Sequence, residues 1–211
     1  MIRWWLVRHA AVPGGRILGQ RSDPDCDLFA VQEVAALAGW LPKSLPLVHS
    51  GMRRTVQTAS LIEAAEVTFP TQEEAPDLRE QDFGEWDGQS WAALAGADQA
   101  EDAALKAFWR APGRTRPPGG ESFAAMIDRV GESLRALSFR LDGQTEHDDV
   151  LAVVHAGTVR AALAVALALD PDAALRVMVA PLSLTRIDWL GPADTGGDPA
   201  WRVVGVNRVP P

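Results

Sequence analysis

The chain has 211 residues, enough for one domain or slightly more and for a core that buries about 70% of the unfolded surface. Hydrophobic residues make up 47% and charged residues 23%, which excludes disordered, collagen-like and coiled-coil classes. With 28 acidic against 20 basic residues the formal net charge is -8, so no basic stripe exists to neutralise a nucleic-acid backbone.

The apolar run Ile2–Val7 predicts a strand of a parallel sheet. Residues 11–27, with Pro13, Gly14, Gly15, Gly19 and Pro24, predict a long functional loop. Helical periodicity over Leu28–Leu41, with Asp27 as N-cap, is followed by a strand from Pro46 to His49. A second helix is expected over Met52–Ala65 with Val56, Ala59, Leu61 and Ile62 inward, and a short third strand at Val67–Phe69. Residues 76–120 carry Pro, Gly and Trp clusters with a helical patch at 98–110, and 84–120 is a candidate cap segment. Glu121–Leu141 is a long amphipathic helix with Phe123, Met126, Ile127, Val130, Leu134 and Leu137 on one face. Asp149–Val154 is the most strand-like run, and Gly157–Leu169 an apolar helix. The tail predicts strands at Leu175–Val179, Ser183–Leu190 and Trp201–Val206. The pattern implies a single domain over 1–211: a three-layer α/β/α sandwich, mostly parallel, with an antiparallel edge strand.

The only cysteine, Cys26, excludes an intramolecular disulfide framework and a cysteine-based zinc site, and reads as a small buried hydrophobe. Tyrosine is absent, but there are eight tryptophans, and each buried indole N–H requires a partner. The N-terminal apolar run is too short for a signal-peptide core, and the wholly apolar stretch 161–169 is far short of the roughly 20 residues of a membrane span. The expectation is a soluble cytoplasmic protein.

In an open α/β sheet, ligands bind beyond the carboxyl ends of the strands. Arg8-His9-Ala10 follows the first expected strand, Ser50-Gly51-Met52-Arg53-Arg54 the second, and His155-Ala156-Gly157-Thr158 the run 149–154. Two histidines and several arginines therefore converge on one edge of an acidic protein. Arginine suits multidentate phosphate binding, and the helices starting near 52 and 157 would aim free N–H groups at the same pocket. An imidazole in an anion pocket suits attack on phosphorus.

Five strings extend this. Leu6-Val7-Arg8-His9-Ala10 resembles the L-V-R-H-G/A signature of the histidine phosphatase superfamily, the phosphoglycerate mutase-like fold. Ser50 to Ala59 resembles its S-P-L-R-R-A-x-Q-T-A segment. Leu78-Arg79-Glu80 with Phe83 to Gly88 resembles L-R-E-x-x-F-G-x-W-E-G. Pro118 to Phe123 resembles P-G-G-E-S-F, and Val153 to Arg160 resembles V-S-H-G-G-x-x-R. The segments occur in the family's order over residues 5–160. Ala10 and Ala156 stand where glycine is commoner, Gly51 replaces a proline and Thr55 an alanine, all expected to be tolerated. The loop 11–25 most resembles the α-ribazole-phosphatase-like branch.

The resemblance implies a metal-independent phosphomonoesterase, with no cofactor, acting on a small phosphorylated metabolite through a phosphohistidine on His9. It implies Glu80 as proton donor, and Arg8, Arg54, His155 and the backbone N–H near Gly157 as phosphate ligands. Arg54, rather than Arg53, aligns with the family's phosphate-binding arginine. Arg53, Gln20 and Ser22 are candidate pocket lining. A phosphoglycerate mutase-type phosphomutase and a protein phosphatase of the same fold are the alternatives. Nucleic-acid and membrane partners are not expected, and a homodimer is left open. His49 reads as a satisfied wall residue, His147 as part of a solvated charged turn, and Arg160 as structural. Asp82, Glu85 and Asp87 have no neighbouring histidine to suggest a metal site. Trp86, Trp91, Trp109 and Phe108 read as core or lid packing, and Gly14-Gly15 and Gly119-Gly120 as turn devices.

Overall fold

The computed structural model describes residues 1–94, 103–143, 148–191 and 200–210. His147, residues 98–102 of the expected helical patch and the 192–199 connection lie outside them. In chain order the elements are β1 (Ile2–Arg8), α1 (Val31–Ala38), β2 (Leu47–His49), α2 (Arg53–Ala64), β3 (Gln72–Glu74), α3 (Trp91–Leu94), α4 (Ala103–Arg110), α5 (Phe123–Leu141), β4 (Asp149–Val154), α6 (Ala156–Leu167), α7 (Pro171–Ala174), β5 (Leu184–Trp189) and β6 (Trp201–Arg208). The strands form one sheet in the order β3-β2-β4-β1-β5-β6. The first four are mutually parallel, and β5 runs antiparallel to both β1 and β6.

Alternation along the strands builds the two cores. Ile2, Trp4 and Leu6 of β1, with Val150, Ala152 and Val154 of β4, face α5 and α6. Val7, Leu151 and Val153 face the other way, against α1 and α2. This is the expected three-layer sandwich, with every β4 residue buried because both faces are covered. Ser122 caps α5 by accepting from the Ala125 N–H. Among the buried indoles, Trp4 donates to Ser138 Oγ at 2.8 Å, whereas Trp189 Nε1 is buried with no partner among the described residues.

Four expectations are corrected. The third strand is Gln72–Glu74: Thr68 makes one isolated bridge to Ser44, and laddered pairing with β2 comes only after Pro70, which has no N–H to donate. Leu175–Val179 is not a strand. The carbonyls of Val177 and Val179 are taken instead by the side chains of Arg160 and Arg8. Asp27 accepts from the Phe29 N–H in a turn that precedes α1, so the helix starts at Val31, and Leu28 and Phe29 are exposed. On α2, Val56 is exposed, while Arg54, Thr55, Thr58, Ala59 and Ile62 are buried: its inward face is half polar because it lines the site.

No described helix is long and apolar enough to cross a membrane. In the 84–120 segment, Trp86, Leu94, Leu105 and Phe108 form a small core with Ile17 of the loop after β1. Ile17 and residues 88–89 exchange two backbone hydrogen bonds, which fix the loop to this segment.

Candidate active site

Register places the site. Arg8 of β1 lies opposite Val154 of β4, and His49 of β2 opposite Val153. With β4 between β1 and β2, His155 emerges between His9 and Ser50. The two imidazoles meet edge to face, with centroids 5.2 Å apart.

His9 is buried, and its Nδ1 lies 2.7 Å from the Ala10 carbonyl. A carbonyl only accepts, so Nδ1 carries the proton and the Nε2 lone pair is free. Burial, then the Arg54 charge, lowers its pKa to about 3, so the ring is neutral at physiological pH. Neutrality and a free Nε2 are what a nucleophile requires.

His155 is fully buried, with both nitrogens engaged. Arg54 Nε donates to its Nδ1 at 3.2 Å, so Nε2 carries the proton, directed at Ser50 Oγ 2.8 Å away. Ser50 in turn lies 3.1 Å from Thr55 Oγ1, which donates to the Met52 carbonyl. The direction of this chain fixes His155 as a neutral imidazole, and burial pushes its pKa well below the ordinary value.

Arg54 is buried and almost completely satisfied by the protein. Besides His155 it reaches the carbonyls of Ser22 and Gly19 at 3.0 and 2.9 Å, and Asp23 at 3.4 Å. Arg8 is the opposite case. Its Nη1 is anchored on the Val179 carbonyl at 2.6 Å, while Nε is buried with no partner among the described residues. The Nε/Nη2 edge, the one suited to bidentate anion binding, is therefore unengaged. A buried donor left unbonded costs on the order of 1–3 kcal/mol, a cost that an anion would remove.

Glu80 sits at the start of α6. Its Oε2 accepts the Gly157 N–H at 3.1 Å, and Oε1 the Gln81 N–H at 3.0 Å. Arg8, Arg54 and Arg160 all lie within electrostatic reach of this carboxylate.

The profile of the histidine phosphatase superfamily (branch 1) matches residues 4–195. The chain belongs to this superfamily. A metal-independent phosphoserine phosphatase of Arabidopsis thaliana is 31% identical over 164 residues, covering 74% of this chain and 65% of that protein. The chain thus spans somewhat less than two thirds of that relative's length. A glucosyl-3-phosphoglycerate phosphatase of Mycolicibacterium vanbaalenii is 33% identical over 181 residues, 79% of this chain and 75% of the relative. Among solved structures, the α-ribazole phosphatase of Shigella flexneri superposes with a TM-score of 0.75 at 22% identity, covering 99% of this chain and 98% of that one.

The remaining candidates divide. For a histidine phosphatase site, the structure brings together His9, His155, Arg8, Arg54, Glu80 and Gly157. The Gly157 N–H is held by Glu80. Ser22 Oγ is hydrogen-bonded to Asp87, and Gln20 Nε2 lies 3.4 Å from Glu121, so both side chains brace the loop that carries them. Arg53 points outward, 60% exposed, and pairs with Asp25 at 3.2 Å. His49 is half-buried and accepts the Gly51 N–H. Ala10 and Ala156 need no positive φ, which is why alanine serves there. No described cluster of three or more His, Cys, Asp or Glu is arranged to hold a metal.

Sequence reasoning missed three supports. Asp87 accepts from Gly19 N, Arg21 N and Ser22 Oγ, so it sets the loop whose carbonyls hold Arg54. Gln57 and Thr58 of α2 bind Cys26 N and Ala10 N, pinning both ends of that loop. Arg129 pairs with Glu121 and reaches the carbonyls of Asp77 and Arg79, fixing the segment that presents Glu80. The family strings contain most of these positions, but nothing in a string says what each one touches.

Proposed function

We propose that the protein is a phosphatase that hydrolyses small phosphate monoesters through a phosphohistidine on His9. The observation that carries this reading is a neutral imidazole whose Nε2, among the described residues, has no partner, beside an arginine whose anion-binding edge has none among them either. The names of the curated relatives, phosphoserine and glucosyl-3-phosphoglycerate phosphatases, support a small phosphorylated metabolite as substrate.

His9 Nε2 attacks phosphorus, the ester P–O bond breaks, and Glu80 delivers a proton to the leaving alkoxide. Water then attacks the phosphoryl group, the P–N bond breaks, and the water proton returns to Glu80. Charge in the transition state lies mainly on the equatorial oxygens, so positioned donors do most of the stabilising. Arg8 contributes its open edge, and Arg54 one remaining Nη2 hydrogen. His155, by accepting from Arg54, keeps that guanidinium in place.

The test is His9→Ala with a panel of phosphorylated metabolites. Wild type should form an acid-labile phosphoenzyme, and the variant should lose both this species and turnover. Turnover within tenfold of wild type would remove His9 from the role.

A further inference from the structure

One buried hydroxyl at the edge of the site is not accounted for by the fold. Ser50, Thr55, Thr58, Ser138, Thr158 and Thr185 are buried, and the hydroxyl of each is hydrogen-bonded. Ser183 is only 1% exposed, and its Oγ has no partner among the described residues. Buried polar groups are rarely left in that state, and each exception calls for a cause.

The sheet places Ser183 beside Arg8. Arg8 N donates to the Ser183 carbonyl at 3.2 Å and Leu182 N to the Arg8 carbonyl at 3.0 Å, so two residues oppose one in a β-bulge. To form it Leu182 takes φ +56°, a conformation costly to a residue with a side chain. Arg8 continues the face of Ile2, Trp4 and Leu6, whereas Leu184 belongs to the opposite core, so Ser183 turns to the same face as Arg8. Cross-strand neighbours on one face have Cβ atoms about 4.5–5.5 Å apart, a gap that one oxygen can span by hydrogen bonds to both side chains. Arg8 Nε is itself buried without a partner among the described residues, so it and Ser183 Oγ are not bonded to each other. The N–H and the O–H are both left for a third, accepting group.

We infer that Ser183 is a phosphate-binding residue, whose O–H donates to the phosphoryl oxygen that also receives the Arg8 Nε–H. This rests on the phosphatase reading above and adds a residue to that site. The bond forms only with the anion in place, so the hydroxyl contributes to affinity and not to the stability of the unliganded protein.

Inorganic phosphate, as a competitive inhibitor of p-nitrophenyl phosphate hydrolysis, is the probe. In Ser183→Ala its inhibition constant should rise about 10- to 100-fold, the value of a hydrogen bond to a charged group. Ser183→Cys, of similar shape but a weak donor, should lose a similar factor, and Ser183→Thr, which keeps the hydroxyl, should stay within about threefold of wild type. The unfolding midpoint of Ser183→Ala without phosphate should not fall, because the group removed is desolvated and unbonded. The rise in midpoint that phosphate gives wild type should shrink in the same variant. An inhibition constant unchanged in both the alanine and the cysteine variant, or a lower midpoint of Ser183→Ala without phosphate, would overturn the assignment, since the hydroxyl would then serve the fold or water. Wild-type turnover separates the two levels. If wild type hydrolyses p-nitrophenyl phosphate and Ser183→Ala binds phosphate equally well, this inference alone fails; if wild type neither hydrolyses the ester nor binds phosphate, the phosphatase reading fails with it.

Discussion

Glu80 and Gly157 constrain each other. The carboxylate accepts the Gly157 N–H, and a Cβ at position 157 would overlap Glu80 Oε1, so only glycine lets the carboxylate lie against the start of α6. The same N–H is one that the family resemblance gives to phosphate. A phosphate taking it would release the carboxylate toward the leaving group. A proton donor matters in proportion to how poor the leaving group is. We therefore expect Glu80→Gln to slow an alkyl phosphate by about 10²–10⁴-fold, or roughly 3–5 kcal/mol of barrier, and p-nitrophenyl phosphate clearly less. The comparison belongs in kcat/KM, which reports steps up to the first irreversible one. Equal losses with both esters would mean that Glu80 only orders the pocket, and the donor would have to be sought at Asp82 or Glu85.

Loop 16–23 is held from outside as much as from within. Asp87 receives three donors from Gly19, Arg21 and Ser22, and the carbonyls of Gly19 and Ser22 then receive Arg54. Asp87→Asn removes the charge from that acceptor, and hydrogen bonds to charged groups contribute roughly 1.5–3 kcal/mol each. Its expected effect is a rise of about 10- to 100-fold in KM and in the inhibition constant for inorganic phosphate, with a smaller change in kcat. An unchanged phosphate inhibition constant would detach Asp87 from the site. Legibility follows the same division between local and distant contacts. Arg8, His9, Arg54, Glu80 and His155 were readable because each sits in a string whose neighbours are also fixed by the site. Arg160 reads as structural in the sequence, and its Nε donates to the Val177 carbonyl of the segment on which Arg8 is also anchored. The polar strand Gln72–Glu74 carries no hydrophobic signal, and the apolar run 175–179 gives its carbonyls to arginines rather than to a strand. Gly51 has φ +80°, outside the reach of the proline that the family resemblance puts there, and a Cβ at that position would meet the Glu74 side chain. Turn and edge strand are thus matched across a distance that no local pattern spans.

The whole molecule is acidic, yet buried Arg54 and half-buried Arg8 and Arg160 lie within electrostatic reach of one carboxylate, Glu80. Because Arg8, Arg54 and Arg160 supply the positive charge there, turnover is expected to survive EDTA; loss on chelation with return on adding Mg²⁺ or Zn²⁺ would show that these arginines are not sufficient. The same concentration of charge has a consequence for folding. His9 and His155 are buried beside guanidiniums, and both pKa values lie below the unfolded value of 6.5, that of His9 at about 3. Between pH 6.5 and about 3 the unfolded chain therefore binds protons that the folded protein refuses. Unfolding free energy rises with pH wherever the unfolded state binds more protons, so stability is complete above about 6.5 and is lost as pH falls toward 3. His9 contributes a slope of about 1.4 kcal/mol per pH unit once the unfolded imidazole is protonated. From pH 7 to pH 5 this amounts to about 2 kcal/mol for His9, and His155 acts in the same direction. Replacing His9 with asparagine removes one of the two protons from the balance. Urea unfolding at pH 7 and pH 5 should therefore show wild type losing about 2 kcal/mol more than His9→Asn over that interval, whatever the absolute stability of the variant. Carboxylate protonation is common to both proteins and cancels in the difference. Parallel stability–pH curves would mean that His9 titrates in the folded protein as it does in the unfolded chain, and the neutral nucleophile would lose its electrostatic basis.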